Sequence, residues 1–247
     1  MERTDSWERP MTRWSPVPVL AAYYDAVTVI CELAAQFSDR AWHQPTPCDD
    51  WRAADLAGHL RCMADDYHEY LDDAPVSRLA RLLATGTHPN TLARKLARQN
   101  AAELAALPDG SGPEHVAAFA ESARAYARRL RPVWDLPHHR YRDTVVTVAG
   151  MAGAACAEWH LHAWDLAASL GKDYQPASPE LLAAGWQAGR PQRPLDAVVP
   201  VAPCGAAVAV AGAPARDVGG NGRAGAPHAE PDGAWEALLR ASGRTPR

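Results

Sequence analysis

The chain has 247 residues, a formal net charge of −4 and a sequence pI near 6.2. This length can bury a sizeable core, and the charge gives no general attraction to nucleic acid or to an anionic membrane surface. Five cysteines, an odd number without a CxxC pair, argue against a secreted disulfide framework and suit a reducing cytoplasm.

Ala, Leu, Val and Trp make up the apolar set, and Ile30 is the only isoleucine, so the composition leans helical. The N-terminal "MERTDSWERPMTRW" has mixed charge and no apolar h-region, and no apolar run approaches about 18 residues. Neither a signal peptide nor a membrane span is expected. Ser15 caps a first helix over 17–37. Pro45 and Pro47 keep the next segment, "SDRAWHQPTPCDDW", out of helix, and Asp49 or Asp50 caps a second helix over 51–73. The region 75–107 reads as one or two shorter helices interrupted by "ATGTHPNT". A third long helix over 113–134 carries Pro113 in its first turn and Arg128, Arg129 and Arg131 near its end, as the helix dipole prefers. "DLPHHRYRD" is a connector, and a last long helix over 143–170 stops at Gly171. After Lys172 come a short helix over 179–188, a Pro-, Gly- and Ala-rich stretch over 189–233 expected to be loop-like, and a closing helix in "AWEALLRASG". The fold class is all-α, with a helical bundle over 13–172 and a partly irregular extension over 173–247.

The chemistry concentrates in "AEWHLHAWDLAASLG". Residues four apart on a helix differ by about 40° around its axis, so Glu158 and His162 share a face, with Asp165 beside them. His160 points elsewhere, and Trp159 and Trp164 pack other faces. A Glu-x-x-x-His pair can give two ligands to one cation, with Asp165 accepting the imidazole N–H, or it can simply stabilise an exposed helix. A metal site needs a third ligand, and His59 in "DLAGHL" supplies one if the second and last long helices pack together. Two His and one carboxylate suit Zn2+, Fe2+, Ni2+ or Mn2+.

These residues lie in motifs that resemble a known family. "PTPCDDWRAADLAGHL" is similar to the PTPC-x-x-W-x-x-x-D-L-x-x-H-L signature of the mycothiol-dependent maleylpyruvate isomerase family, within the DinB-like superfamily. "EWHLHAWDLAASLG" resembles its E-x-x-x-H-x-W-D-L-A-x-x-x-G segment, and "WEALLRASGRTP" its closing D-R-L-L-x-x-x-G-R-x-P. The resemblance implies a DinB-like four-helix bundle and a divalent metal, usually zinc, held by His59, Glu158 and His162. Asp165 would orient His162 or contact the thiol substrate. It implies a transferase or isomerase that uses mycothiol, the small thiol of actinobacteria, or a related thiol, with a metal-bound thiolate as nucleophile. The alternatives are a non-catalytic DinB-like metal- or ligand-binding protein and a metal-dependent hydrolase.

Arg140 and Arg142 are candidates for binding the cofactor or a substrate carboxylate at the bundle mouth, whereas "HHR" at 138–140 reads as a solvated loop. Cys48 precedes a helix, where the dipole would favour a thiolate, but its place in the motif favours packing. Cys62 follows His59 by three residues and can border the site, while Cys156 faces away from Glu158. The basic stretches "RLARLLATG" and "ARKLARQN" lack aromatics for base stacking and read as solvated faces. The expected partners are a small thiol and an electrophilic small molecule, with no nucleic acid and no membrane, in a cytoplasmic monomer or homodimer.

Overall fold

The structure, a computed structural model, describes residues 14–48, 51–73, 89–142, 144–191, 195 and 233–246. Helix α1 spans Pro16–Ala34, and Ser15 caps it by accepting from the Val17 N–H. Its apolar stripe, from Val19 and Leu20 through Tyr23, Ala26, Val27 and Ile30, faces the core. By length and mean hydropathy α1 would suit a membrane crossing, contrary to the sequence expectation, but that stripe is buried against other helices.

Helix α2 spans Ala53–Asp72. Arg52 is its N-cap residue, and Asp49 and Asp50, expected to cap it, lie outside the described residues. Asp55 reaches back to accept from the Arg52 N–H at 2.9 Å. Helix α3 (Pro89–Ala106) packs on α2, and the remainder of the expected 75–107 helical region, 75–88, lies outside the described residues. Helix α4 spans Gly112–Leu130. Ser111 and Glu114 cap it reciprocally, and Arg128 and Arg129 occupy its last turn.

The expected connector and the start of the last long helix are instead an antiparallel hairpin, β1 (Pro137–Tyr141) paired with β2 (Thr144–Thr147). The β-branched run Thr144-Val145-Val146-Thr147 favours strand, and Thr147 then caps helix α5 (Val148–Ser169) by accepting from the Gly150 N–H. Helix α5 closes as expected. Gly171 takes φ 68°, and the Gly171 and Lys172 N–H groups return to Ala168 O and Ala167 O.

Helices α1, α2, α4 and α5 form a four-helix bundle, with α1 on α5 and α2 on α4 as its main pairs. Trp159 lies at its centre, fully buried against Tyr23, Tyr67 and Phe119. Helix α6 (Pro179–Gly189) covers the outer side of α5, and α7 (Ala234–Ala241) packs on α6. Enclosed on both sides, α5 is apolar nearly all round its circumference. The stretch 189–233, expected to be loop-like, lies outside the described residues except for 189–191, 195 and 233.

Candidate metal centre

The segment before α2 folds tightly on itself. Thr46 accepts from the Cys48 N–H at 3.1 Å and donates its hydroxyl to Trp51 O at 3.0 Å, while the Ala53 N–H returns to Gln44 O. This folding turns Cys48 and Trp51 inward. Trp51 lies against His59, with ring centroids 4.6 Å apart. His59 is buried on the inner face of α2, and its ring meets His162 edge-on at 5.3 Å. The two histidines assigned to one site from sequence are therefore neighbours across the bundle.

On α5, the His162 Nε2 lies 3.8 Å from Glu158 Oε2. His162 is fully buried, and its Nε2 has no hydrogen-bond partner among the described residues. A buried polar nitrogen without a partner is costly unless something else satisfies it. Its other nitrogen, Nδ1, donates to Asp165 Oδ2 at 3.0 Å. That bond places the proton on Nδ1 and leaves the Nε2 lone pair beside Glu158, the tautomer a metal-ligating histidine requires. The donor set of two imidazoles and one carboxylate fits a divalent cation such as Zn2+.

Asp165 is fully buried and serves four donors. Its Oδ2 accepts from the Cys48 thiol at 3.2 Å, from His162 Nδ1 and from Arg244 Nη2 at 2.5 Å, while Oδ1 accepts from Arg244 Nε at 2.8 Å. Burial alone would raise its pKa, but the charge and hydrogen bonds of Arg244, with those of His162, hold the carboxyl well below the usual carboxylate range. Among the described residues, the group of metal-type ligands whose donor atoms all lie within 4.8 Å of one another is Cys48, His162 and Asp165, without His59 or Glu158. A guanidinium already supplies the cation there, so this cluster is better suited to orienting His162. Cys48 packs at the start of α2 as expected and adds a thiol donor to Asp165.

Glu158 has a cation partner of its own. Arg190, just beyond α6, places Nη2 2.6 Å from Glu158 Oε1 and also hydrogen-bonds Tyr67. Burial lowers the Arg190 pKa, but Glu158 and Tyr67 more than offset this, so it stays charged. The hairpin adds His138 and His139, both buried rather than solvated, with their Nδ1 atoms 2.9 Å apart. Burial pushes His138 down to about 4 and His139 to about 3, the latter with help from His138 and Arg190.

Arg140 and Arg142 occupy exposed positions of the same hairpin, and the Arg142 guanidinium lies 5.5 Å over the Tyr141 ring. Cys62 is half-buried, and burial, with Glu103, Asp66 and Asp65, pushes its thiol up to about 11. Cys156 is buried toward α1, where burial and Asp25 raise its pKa. His160 turns away from the centre: its Nε2 donates to Ala22 O at 3.1 Å and its Nδ1 accepts from the Tyr174 hydroxyl at 2.5 Å. Trp159 and Trp164 are buried on α5, as expected.

Sequence reasoning did not single out Arg190 or Arg244. Arg244 lies in the quoted closing motif, "GRTP", without an assigned role. The signal for both was the acid each one serves, since the buried Asp165 and the partly buried Glu158 on so apolar a helix require cations.

The fold defines a helical-bundle protein in which His59 on α2 and Glu158 and His162 on α5 approach one another. The chain belongs to the family described as the mycothiol maleylpyruvate isomerase N-terminal domain, whose model matches residues 25–167. Cys48, His59, Glu158, His162 and Asp165 lie within that match, and Arg190 and Arg244 lie beyond it. No curated protein and no solved structure matches the chain.

Proposed function

We propose that the chain is a metal-dependent thiol S-transferase or isomerase that uses mycothiol or a related small thiol. The observation that carries this reading is the buried, unpartnered His162 Nε2 beside Glu158 and His59, in a chain of a mycothiol isomerase family. A divalent cation held by His59, Glu158 and His162, Zn2+ foremost, with Ni2+, Fe2+ or Mn2+ as alternatives, would supply the positive charge that lowers a thiol's pKa.

The chain's own residues prepare that position. Asp165 holds the His162 Nδ1–H and so presents Nε2, and its complete burial suits this orienting role better than contact with substrate. Arg190 grips Oε1 of Glu158, whose Oε2 lies 3.8 Å from His162 Nε2. Trp51 walls the His59 side against water. Arg140 and Arg142, exposed on the hairpin, serve to draw in an anionic substrate group. No disulfide joins the four described cysteines, which suits action in the cytoplasm.

Cobalt substitution tests the reading. Mycothiol added to the Co2+ protein is expected to produce a sulfur-to-cobalt charge-transfer band in the near ultraviolet. Cys48→Ser, Cys62→Ser and Cys156→Ser proteins should retain it, because the sulfur comes from the added thiol. A spectrum unchanged by mycothiol and by other small thiols would overturn thiol transfer.

A further inference from the structure

We infer that Arg244, on the C-terminal tail, is a positioning residue for the candidate metal centre: it grips Asp165 so that the carboxylate holds His162 with Nε2 as the ligand atom. The inference rests on the reading of His59, Glu158 and His162 as a metal centre.

Arg244 is buried and makes a two-point contact with Asp165, Nε to Oδ1 at 2.8 Å and Nη2 to Oδ2 at 2.5 Å. A planar guanidinium fork fixes both the position and the rotation of a carboxylate, which a point charge does not. The fixed Oδ2 is the atom that faces His162 Nδ1. Arg244 Nη2 also lies 3.3 Å from Nδ1, but a guanidinium has only protons to offer. Donation from Arg244 to Nδ1 would put the ring proton on Nε2, inside a buried space where that nitrogen has no acceptor bonded to it. With Nδ1–H toward Asp165 the ring proton has a carboxylate acceptor at 3.0 Å, and Nε2 is left as a lone pair that a cation can satisfy. Arg244 Nη2 further approaches Cys48 Sγ, at 3.9 Å, so one guanidinium ties together the segment before α2, helix α5 and the tail.

The tail delivers this side chain by a defined turn. Helix α7 buries Trp235, Leu238 and Leu239. Gly243 takes φ 88°, and the Arg244 N–H returns to Leu239 O at 2.8 Å, so the chain reverses at the helix end. Docking of α7 and orientation of a ligand on α5 are thus one event, although Arg244 lies outside the segment that matches the family.

The test uses the full chain, free of metal, with long-range proton–nitrogen correlation spectra of the histidine rings. Competition titrations with Co2+ and Zn2+ accompany them. Native protein should show His162 as a single Nδ1–H tautomer. Arg244→Met should lose that single form, and metal affinity should fall about 10–100-fold, the usual cost of losing an outer-shell partner. Arg244→Lys keeps the charge without the fork and should lose the single tautomer and about 10-fold in affinity. Adding Arg244→Met to Asp165→Asn should cause no further loss, because the arginine acts through Asp165. A folded Arg244→Met protein with the native tautomer and native affinity would overturn the proposal. If Arg244→Met does not fold, native tautomer and affinity in Arg244→Lys would do so. Native protein that binds no divalent metal refutes the metal-centre reading, and the tautomer in the metal-free variants still decides the role of Arg244.

Discussion

Arg190 reaches across from the end of α6 to place its Nη2 2.6 Å from Oε1 of Glu158 on α5. This contact is to Oε1, and Oε2 of the same carboxylate lies 3.8 Å from His162 Nε2. An arginine that orients a ligand carboxylate should strengthen metal binding even though both are cations, because it fixes which oxygen is offered. Arg190→Met is expected to weaken Zn2+ binding by about 10-fold, measured by chelator competition. Tighter binding in Arg190→Met would show instead that Arg190 competes with the metal for Glu158.

Two ligand sets share His162, and substitution separates them. If His59, Glu158 and His162 hold the metal, His59→Ala, Glu158→Ala and His162→Ala should each purify without stoichiometric metal. Cys48→Ser should retain it. The reverse pattern, with metal kept in His59→Ala and lost in Cys48→Ser, would move the site to Cys48, His162 and Asp165. Elemental analysis of the purified proteins decides between them.

The long helices were legible because periodicity is local: the α1 stripe, the Ser15 cap and the Gly171 stop can each be read within a few residues. The Glu158/His162 pair was legible for the same reason. The hairpin was not, because Pro137-His138-His139-Arg140-Tyr141 carries a bulge that breaks alternation and puts adjacent histidines both inside. Only the β-branched Thr144–Thr147 run hinted at strand. Arg190 and Arg244 meet their acids through tertiary contacts, 32 and 79 residues away by the chain numbering, and no short-range pattern encodes such pairings.

The histidine pair on the hairpin makes stability depend on pH. An unfolded histidine binds its proton near pH 6.5, whereas folded His138 and His139 do so only near 4 and 3, because burial disfavours the charged ring. Below pH 6.5 the unfolded chain therefore holds protons that the folded chain does not. Stability should fall as pH drops from 6.5 toward 4, by up to roughly 1.4 kcal/mol per pH unit for each ring. The 2.9 Å Nδ1 pair adds to this, since one ring must accept from the other. Thermal melts between pH 7 and 4 should show the decline, with a shallower slope in His139→Gln. An equal slope in that variant would place the pH sensitivity elsewhere.

The seam between α5 and α6 determines whether Arg190 can reach Glu158 at all. A Cβ on Gly185 would lie 2.7 Å from Gly153 O, and one on Gly153 would lie 2.8 Å from the Gly185 Cα. Gly189 faces Gly150 O in the same way. These are backbone neighbours, which cannot rotate aside, so a side chain here must push the helices apart. Gly185→Ala is expected to destabilise the fold by about 1–3 kcal/mol, the usual range for overpacking, and Gly185→Val by more. Because Arg190 follows Gly185 by five residues, its hold on Glu158 should loosen as well, so metal affinity should fall together with stability. Gln187→Ala, at an exposed position on the same helix, controls for general effects on α6 and should stay within about 0.5 kcal/mol of native. Urea unfolding measures the first effect and chelator competition the second. Native stability in Gly185→Ala would refute the close approach of the two helices, and a stability loss without any change in affinity would separate the seam from the metal centre.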